Sequence, residues 1–233
     1  PQHFSAKIGL GSVYNKKGFF DQATKTLELM IKKNLSSKDP NLALARLNLG
    51  ELYGKTRKIE KAITEWKAAI KINPSLLPAH FNLGTAYMMK GKLQLAESAF
   101  ELCLKLNNHY EPALFNLAKV YQRQEKWAES TQQFKAFLEV AGPRPSAYTQ
   151  MGFNLNRQSD WDNAKHFLEK SISLQPEDIN TRITLAETFT NLAQIKKAHE
   201  HLTTALKMHP NPNQIEAINN MMLSLTSLKT TTP

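Results

Sequence analysis

Three features of this 233-residue sequence use residue types that can do chemistry. They are the pair His199 and His201, the single cysteine Cys103, and the asparagines Asn48, Asn82 and Asn116, which recur every 34 residues. The histidines stand two apart, which on a helix points them to different sides. His199-Glu200-His201 is therefore not the His-Glu-x-x-His arrangement that holds zinc, and both rings are expected to be solvated surface groups. Cys103 takes the small-residue place of an apolar run, which predicts an inert packing thiol rather than a nucleophile. The sequence carries no glycine-rich phosphate loop and no titrating set of recognised spacing, so it predicts no enzyme activity, no metal and no cofactor. The asparagines offer a different chemistry. Each amide has one acceptor and two donors, matching the C=O and N–H of a peptide bond, so a row of them can hold an extended chain by its backbone. The competing reading is that they serve local helix contacts.

The elements that must position these residues are set by a repeat. Leu49-Gly50-Glu51-Leu52-Tyr53, Leu83-Gly84-Thr85-Ala86-Tyr87, Leu117-Ala118-Lys119-Val120-Tyr121, Met151-Gly152-Phe153-Asn154-Leu155 and Leu185-Ala186-Glu187-Thr188-Phe189 are variants of one pattern with a period of 34. Leu10-Gly11-Ser12-Val13-Tyr14 is a sixth copy, set 39 residues before the next. A second small residue follows twelve positions on in each copy, at Ala23, Ala62, Ala96, Ser130, Ala164 and Ala198. Small residues let an antiparallel helix backbone approach, and the large residue three places later (Tyr14, Tyr53, Tyr87, Tyr121, Leu155, Phe189) fills the space beside it. Other large residues recur at Phe20, Ile59, Leu93, Trp127, Trp161 and Ile195, and at Leu27, Trp66, Phe100, Phe134, Leu168 and Leu202. Pro74, Pro176 and Pro210 close three of the units.

This pattern resembles the tetratricopeptide repeat, whose two-helix unit has this length and these small and large positions. The resemblance covers about residues 4 to 212 and implies an all-α, right-handed α-solenoid forming a single domain over 1–233. Its repeats are expected at about 4–37, 43–76, 77–110, 111–144, 145–178 and 179–212. Departures are local: Met30 in the first repeat, and Ser130, Phe137 and Gly142 in the fourth, predict slightly looser packing. The five extra residues fall within Asn34 to Asn41, where Asp39 and Pro40 read as an N-cap and first helical residue, so the next helix should start early by about a turn. Gly142-Pro143-Arg144-Pro145 marks a hard break. After Pro212, Ile215, Ile218, Met222 and Leu225 share one helical face, which predicts a capping helix over about 213–228.

The resemblance also implies that the first helix of each pair faces a concave groove. Asn48, Asn82, Asn116 and Gln150 then fall at one inward position of successive repeats, followed by Thr184. This looks like the asparagine ladders of sequence-tolerant superhelical relatives, among them the substrate-docking region of O-linked N-acetylglucosamine transferase. Beside the ladder lie Phe81, Met88, Met89, Phe115 and Phe153 as candidate side-chain pockets, with Lys119, Arg123 and Arg157 as candidate carboxylate partners. The bland reading of the Met and Phe residues is core packing. The clamp that grips acidic chaperone tails needs Lys and Asn where this chain has Ile8 and Ser12, or Leu47 and Glu51, and Lys and Arg where it has Pro78 and Asn82, or Pro112 and Asn116, so it is not expected.

Hydrophobic residues make up 41% of the chain and charged ones 21%, enough for a buried interior, and no apolar run is long enough to span a bilayer. One cysteine excludes a disulfide-built scaffold. The net charge of +10 is uneven: residues 1–76 hold 14 Lys and Arg against 6 Asp and Glu, 77–144 hold 8 against 6, and 145–233 hold 8 against 8. The basic first third suits an acidic partner, whereas nucleic acid is not the expected one, because the lysines cluster around tight turns without an arginine-rich run. The start at Pro1 suggests a processed or partial chain, cytoplasmic or periplasmic. The leading expectation is a non-catalytic adaptor that binds an extended segment of a partner protein and assists complex assembly. Two alternatives stay open: the docking arm of a larger enzyme such as a glycosyltransferase, and a bacterial lipoprotein that assists pilus secretins. Self-association through repeat ends is open as well.

Overall fold

The computed structural model describes residues 17–34 and 40–230, with Gly9, Gly11, Val13 and Tyr14 before them and side chains as far as Thr226. Leu10 and Ser12 of the first copy and the Asp39 cap lie outside the described residues. Among the described residues, twelve helices with defined bounds follow in order: α1 (Phe20–Lys33), α2 (Pro40–Lys55), α3 (Ile59–Ile72), α4 (Leu77–Met89), α5 (Leu93–Leu106), α6 (Glu111–Arg123), α7 (Trp127–Ala141), α8 (Pro145–Arg157), α9 (Trp161–Leu174), α10 (Ile179–Asn191), α11 (Ile195–Leu206) and α12 (Pro212–Thr230). The early start expected after the insertion is found: α2 has 16 residues, against 13 in α4, α6, α8 and α10.

The chain divides into two compact units, residues 1–116 and 117–233, with the division inside α6. In unit 1, α2 with α3 and α4 with α5 form hairpins, and α3 packs on α4. In unit 2, α8 with α9 and α10 with α11 form hairpins, α7 packs on α8, and α12 covers α10 and α11. The last contact buries Ile218 and Leu225 in a cluster with Leu168, Leu185, Phe189 and Leu202, as a solenoid end requires. Asn211 caps α12 reciprocally: its side chain accepts from the Gln214 N–H at 3.0 Å and its own N–H donates to Gln214 Oε1 at 3.0 Å. Ile215 departs from the expected apolar face and stands 40% exposed.

Each hairpin turn has one geometry. Gly18, Arg57, Gly91, Glu125, Ser159 and Ala193 all take left-handed backbone, with φ between 56° and 79°. The next residue's N–H bonds the carbonyl five residues back, as in Lys58 to Tyr53 (2.8 Å) and Lys92 to Tyr87 (2.9 Å), which closes the orphan carbonyls of the first helix.

At the glycines of the first helices the room is taken by the large side chain sixteen residues on. A Cβ on Gly50 would lie 2.4 Å from Trp66 Nε1, one on Gly84 2.7 Å from Phe100 Cε1, and one on Gly152 2.4 Å from Leu168 Cγ. Tyr53, Tyr87, Tyr121 and Phe189 are buried beside them, whereas Leu155 is half-buried. Ser130 at a small position is buried and satisfied, donating to the Ala118 carbonyl at 2.9 Å.

Candidate functional site: the first-helix faces

In unit 1 the asparagines keep the register set by their spacing. Asn48 lies on α2, Asn82 on α4 and Asn116 on α6, and all three are half-buried. Among the described residues, no protein group hydrogen-bonds the side-chain amide of Asn48 or Asn116. Asn82 bonds the Glu51 carboxylate from the preceding repeat. Glu51 was not among the residues singled out by sequence. Burial holds its carboxyl above the ordinary range, while the Asn82 bond and the Lys55 charge pull the other way. Its signal was available, an acid at an inward position one turn after Asn48.

The apolar candidates separate. Phe81 is half-buried and committed to an aromatic cluster, 5.8 Å from the Phe100 ring and 5.4 Å, edge-on, from that of Tyr110. Phe115 and Met88 are half-buried and in contact with neighbours. Met89, by contrast, is 69% exposed at the end of α4, a flexible apolar side chain on the surface.

Unit 2 spends its polar groups on itself. Lys119 Nζ donates to Gln150 Oε1 at 3.0 Å, tying α6 to α8. Burial pushes the Lys119 amine below the ordinary lysine range. Gln122 donates to Asn154 Oδ1 at 2.7 Å, and the buried Asn154 donates to Ser130 (2.8 Å) and Thr131 (3.2 Å) on α7. Thr149 meets Ser171 and Thr181, and Thr188 donates to Asn156 Oδ1 at 3.0 Å. Phe153 packs edge-on against Trp127 at 5.9 Å, with the Arg157 guanidinium 5.0 Å from its ring centre. Arg123 is exposed and engaged with a neighbour. The structure thus brings together Lys119 with Gln150, and Phe153 with Arg157.

A hollow of 390 Å³ in unit 2 is lined by Asn180, Ile183, Thr184, Asn211, Asn213, Gln214 and Ala217. Of these, the sequence pointed to Thr184 alone. Asn213 follows Ile179 by one period, so α12 begins where a seventh first helix would, and its amides continue the neutral polar face.

The groups with reactive potential are quiet. Cys103 is buried, its thiol pushed up to about 12 by burial. His199 is exposed as expected, but His201 is not a solvated surface group. It is half-buried, stacked 5.4 Å from Phe189, and its pKa is lowered by burial and by the Arg182 charge. Among the described residues, no three His, Cys, Asp or Glu side chains gather to hold a metal ion, and no helix is long and apolar enough to cross a membrane.

The model of the family described as the cilia and flagella-associated protein 70 C-terminal domain matches residues 3–221. The chain belongs to this family. It is a tetratricopeptide-repeat protein, a class that generally serves protein interaction. No curated protein gives a significant match. Among solved structures, this member of the family is similar to a tetratricopeptide repeat protein from Parabacteroides merdae, with TM-score 0.77 and 17% identity over 96% of this chain and 87% of that one. YrrB, described as a TPR protein with an unusual peptide-binding site, gives TM-score 0.72 and 19% identity over 83% and 96%. The pilF protein of Pseudomonas aeruginosa gives TM-score 0.72 and 16% identity over 94% and 97%. At these identities the likeness is one of fold.

Proposed function

We propose that the chain is a non-catalytic scaffold that holds an extended segment of a partner protein against its first-helix faces and thereby assists assembly of a larger complex. The observation that carries this reading is the open amide pair Asn48 and Asn116, with Asn82 in register between them. Half-buried amides without protein partners are costly unless something pairs with them, and a peptide backbone supplies both halves of each bond. The neighbouring Phe81, Phe115 and Met88, with the exposed Met89, offer apolar contact for the side chains of such a segment. The family supports a setting in cilia or flagella. YrrB, of the same fold, is described as peptide-binding, which is consistent with the proposed mode.

The test is a peptide-array screen of the purified chain beside an Asn48→Ala, Asn82→Ala, Asn116→Ala variant, both checked for helix content by circular dichroism. Ligands with a shared extended motif that the variant loses would support the reading. Ligands bound equally by both proteins would move the site off the amide row.

A further inference from the structure

Stacked hairpins have two edges: the turns inside the hairpins lie along one, and the connections between hairpins lie along the other. In unit 1 the hairpin turns carry Lys17 in the first repeat, Lys55, Arg57 and Lys58 in the second, and Lys90 and Lys92 in the third, all exposed. No Asp or Glu is interleaved within those described turns. The connections on the other edge of unit 1 read Asn73-Pro74-Ser75 and Asn107-Asn108-His109, without a formal charge. The corresponding turns of repeats four and five in unit 2 mix both signs, with Glu125 between Arg123 and Lys126, and Asp160 three residues after Arg157.

The helix dipole accounts for Lys55, in the last turn of α2, and for Lys90, at the C-cap of α4, but not for the others. Lys58 and Lys92 occupy the N-cap positions of α3 and α5 and make no side-chain capping bond there. A positive charge at a helix N-terminus opposes the helix dipole, and the favoured caps are Asp, Asn, Ser and Thr. Repeat five shows the favourable choice, with Asp160 at that place bonding the Asn163 N–H and side chain. The lysines on the opposite edge have a local reason instead, since Lys33, Lys71 and Lys105 sit in the last turns of their helices, where a cation is welcome. Neighbouring acids account for only part of the set. Glu60 pairs with Lys90, and Glu51 acts on Lys55. Among the described residues, no carboxylate is paired with Arg57, Lys58 or Lys92.

We infer that this edge of unit 1 is a second docking surface, separate from the amide row, and that it takes an acidic, extended polypeptide segment. The shared turn geometry presents the cations at a fixed repeat along a narrow edge, which suits a single chain bearing carboxylates at intervals. Five of the six cations are lysines, and the turns of repeats two and three hold no aromatic ring on which a base would stack, which disfavours a nucleic-acid strand.

The test is fluorescence anisotropy with a labelled glutamate-rich peptide, at low and at raised salt, on three proteins. They are the parent chain, an Arg57→Glu, Lys58→Glu, Lys92→Glu variant, and a control of equal net charge, Lys33→Glu, Lys71→Glu, Lys105→Glu. Circular dichroism checks all three, and lysine-to-glutamine versions replace any that lose helix. We expect salt-sensitive binding to the parent and the control, a loss of roughly tenfold or more in the edge variant, and no change on Asn48→Ala with Asn82→Ala. Equal weakening in the edge variant and the control would overturn the proposal in favour of diffuse charge. Absence of peptide binding, or preference for single-stranded RNA or phosphatidylserine vesicles, would overturn it as well.

Discussion

The two units share one repeat and one turn geometry, yet they join neighbouring repeats by different means. Unit 1 does so with rings and charges: Lys67 over the Tyr87 ring, Tyr53 donating to Glu28 at 2.5 Å, and Lys90 with Glu60, while Phe81 against Phe100 and Tyr110 holds its third repeat together from within. Unit 2 does so with neutral amides and hydroxyls, through Gln122, Asn154, Ser130 and Thr131, through Thr149, Ser171 and Thr181, and through Asn156 with Thr188. The lesson is that a polar side chain at an inward register position is not thereby a ligand group. Where the repeats consume their own amides, as in unit 2, such residues hold the stack. Where rings and charges hold the stack, as in unit 1, amides such as Asn48 and Asn116 have no hydrogen-bond partner among the described residues.

The largest expected effect breaks the apolar side of this comparison. Phe100→Ala removes a fully buried ring lying over Gly84 and should cost about 3–5 kcal/mol in urea unfolding. A cost below about 1 kcal/mol would mean that unit 1 is not held by its rings. Next comes the polar side. Asn154→Ala strips Gln122 and Ser130 of a buried partner and should cost about 1–3 kcal/mol, with a double-mutant cycle against Ser130→Ala showing coupling. Additive effects of the two substitutions would deny that the network acts as a unit. The third prediction sharpens the contrast through binding. Asn48→Ala with Asn82→Ala should weaken a groove-bound peptide by about 1–3 kcal/mol. Stability should fall by no more than about 1 kcal/mol, the contribution of the Asn82 contact with Glu51, because among the described residues Asn48 makes no protein hydrogen bond.

The smallest effect is a pH dependence confined to unit 2. The folded pKa of His201 is lowered, so the unfolded chain binds the proton more readily and stability falls as pH drops through the unfolded value near 6.5. The decline continues until the folded value is passed. His201→Gln should flatten that shallow slope in thermal melts at pH 7 and pH 5, and an unchanged slope would assign it to other groups.

The hairpins, their order and the lengthened α2 were legible in the sequence because a period of 34 and one insertion dictate them. The role of the small residues was only half legible. Spacing shows that Gly50 and Trp66 recur sixteen apart, but not that the ring itself occupies the missing Cβ. The turn conformation was hidden, since Arg57, Glu125, Ser159 and Ala193 hold left-handed backbone without being glycine. At the candidate site, register located Asn48, Asn82 and Asn116. It could not tell that Gln150 was already taken by Lys119, because pairing across 31 residues depends on side-chain geometry rather than on spacing. His201 was misjudged for a similar reason: an i, i+2 argument describes its own helix and is silent about Phe189 on α10.

That left-handed turn position has a further consequence. Glycine, arginine, glutamate, serine and alanine all occupy it with the same backbone angle within about 25°, so the fold does not select its side chain. Selection can then rewrite the chemistry of this edge one repeat at a time without renegotiating the core. A side chain at this position can be exchanged without disturbing the stack beneath it.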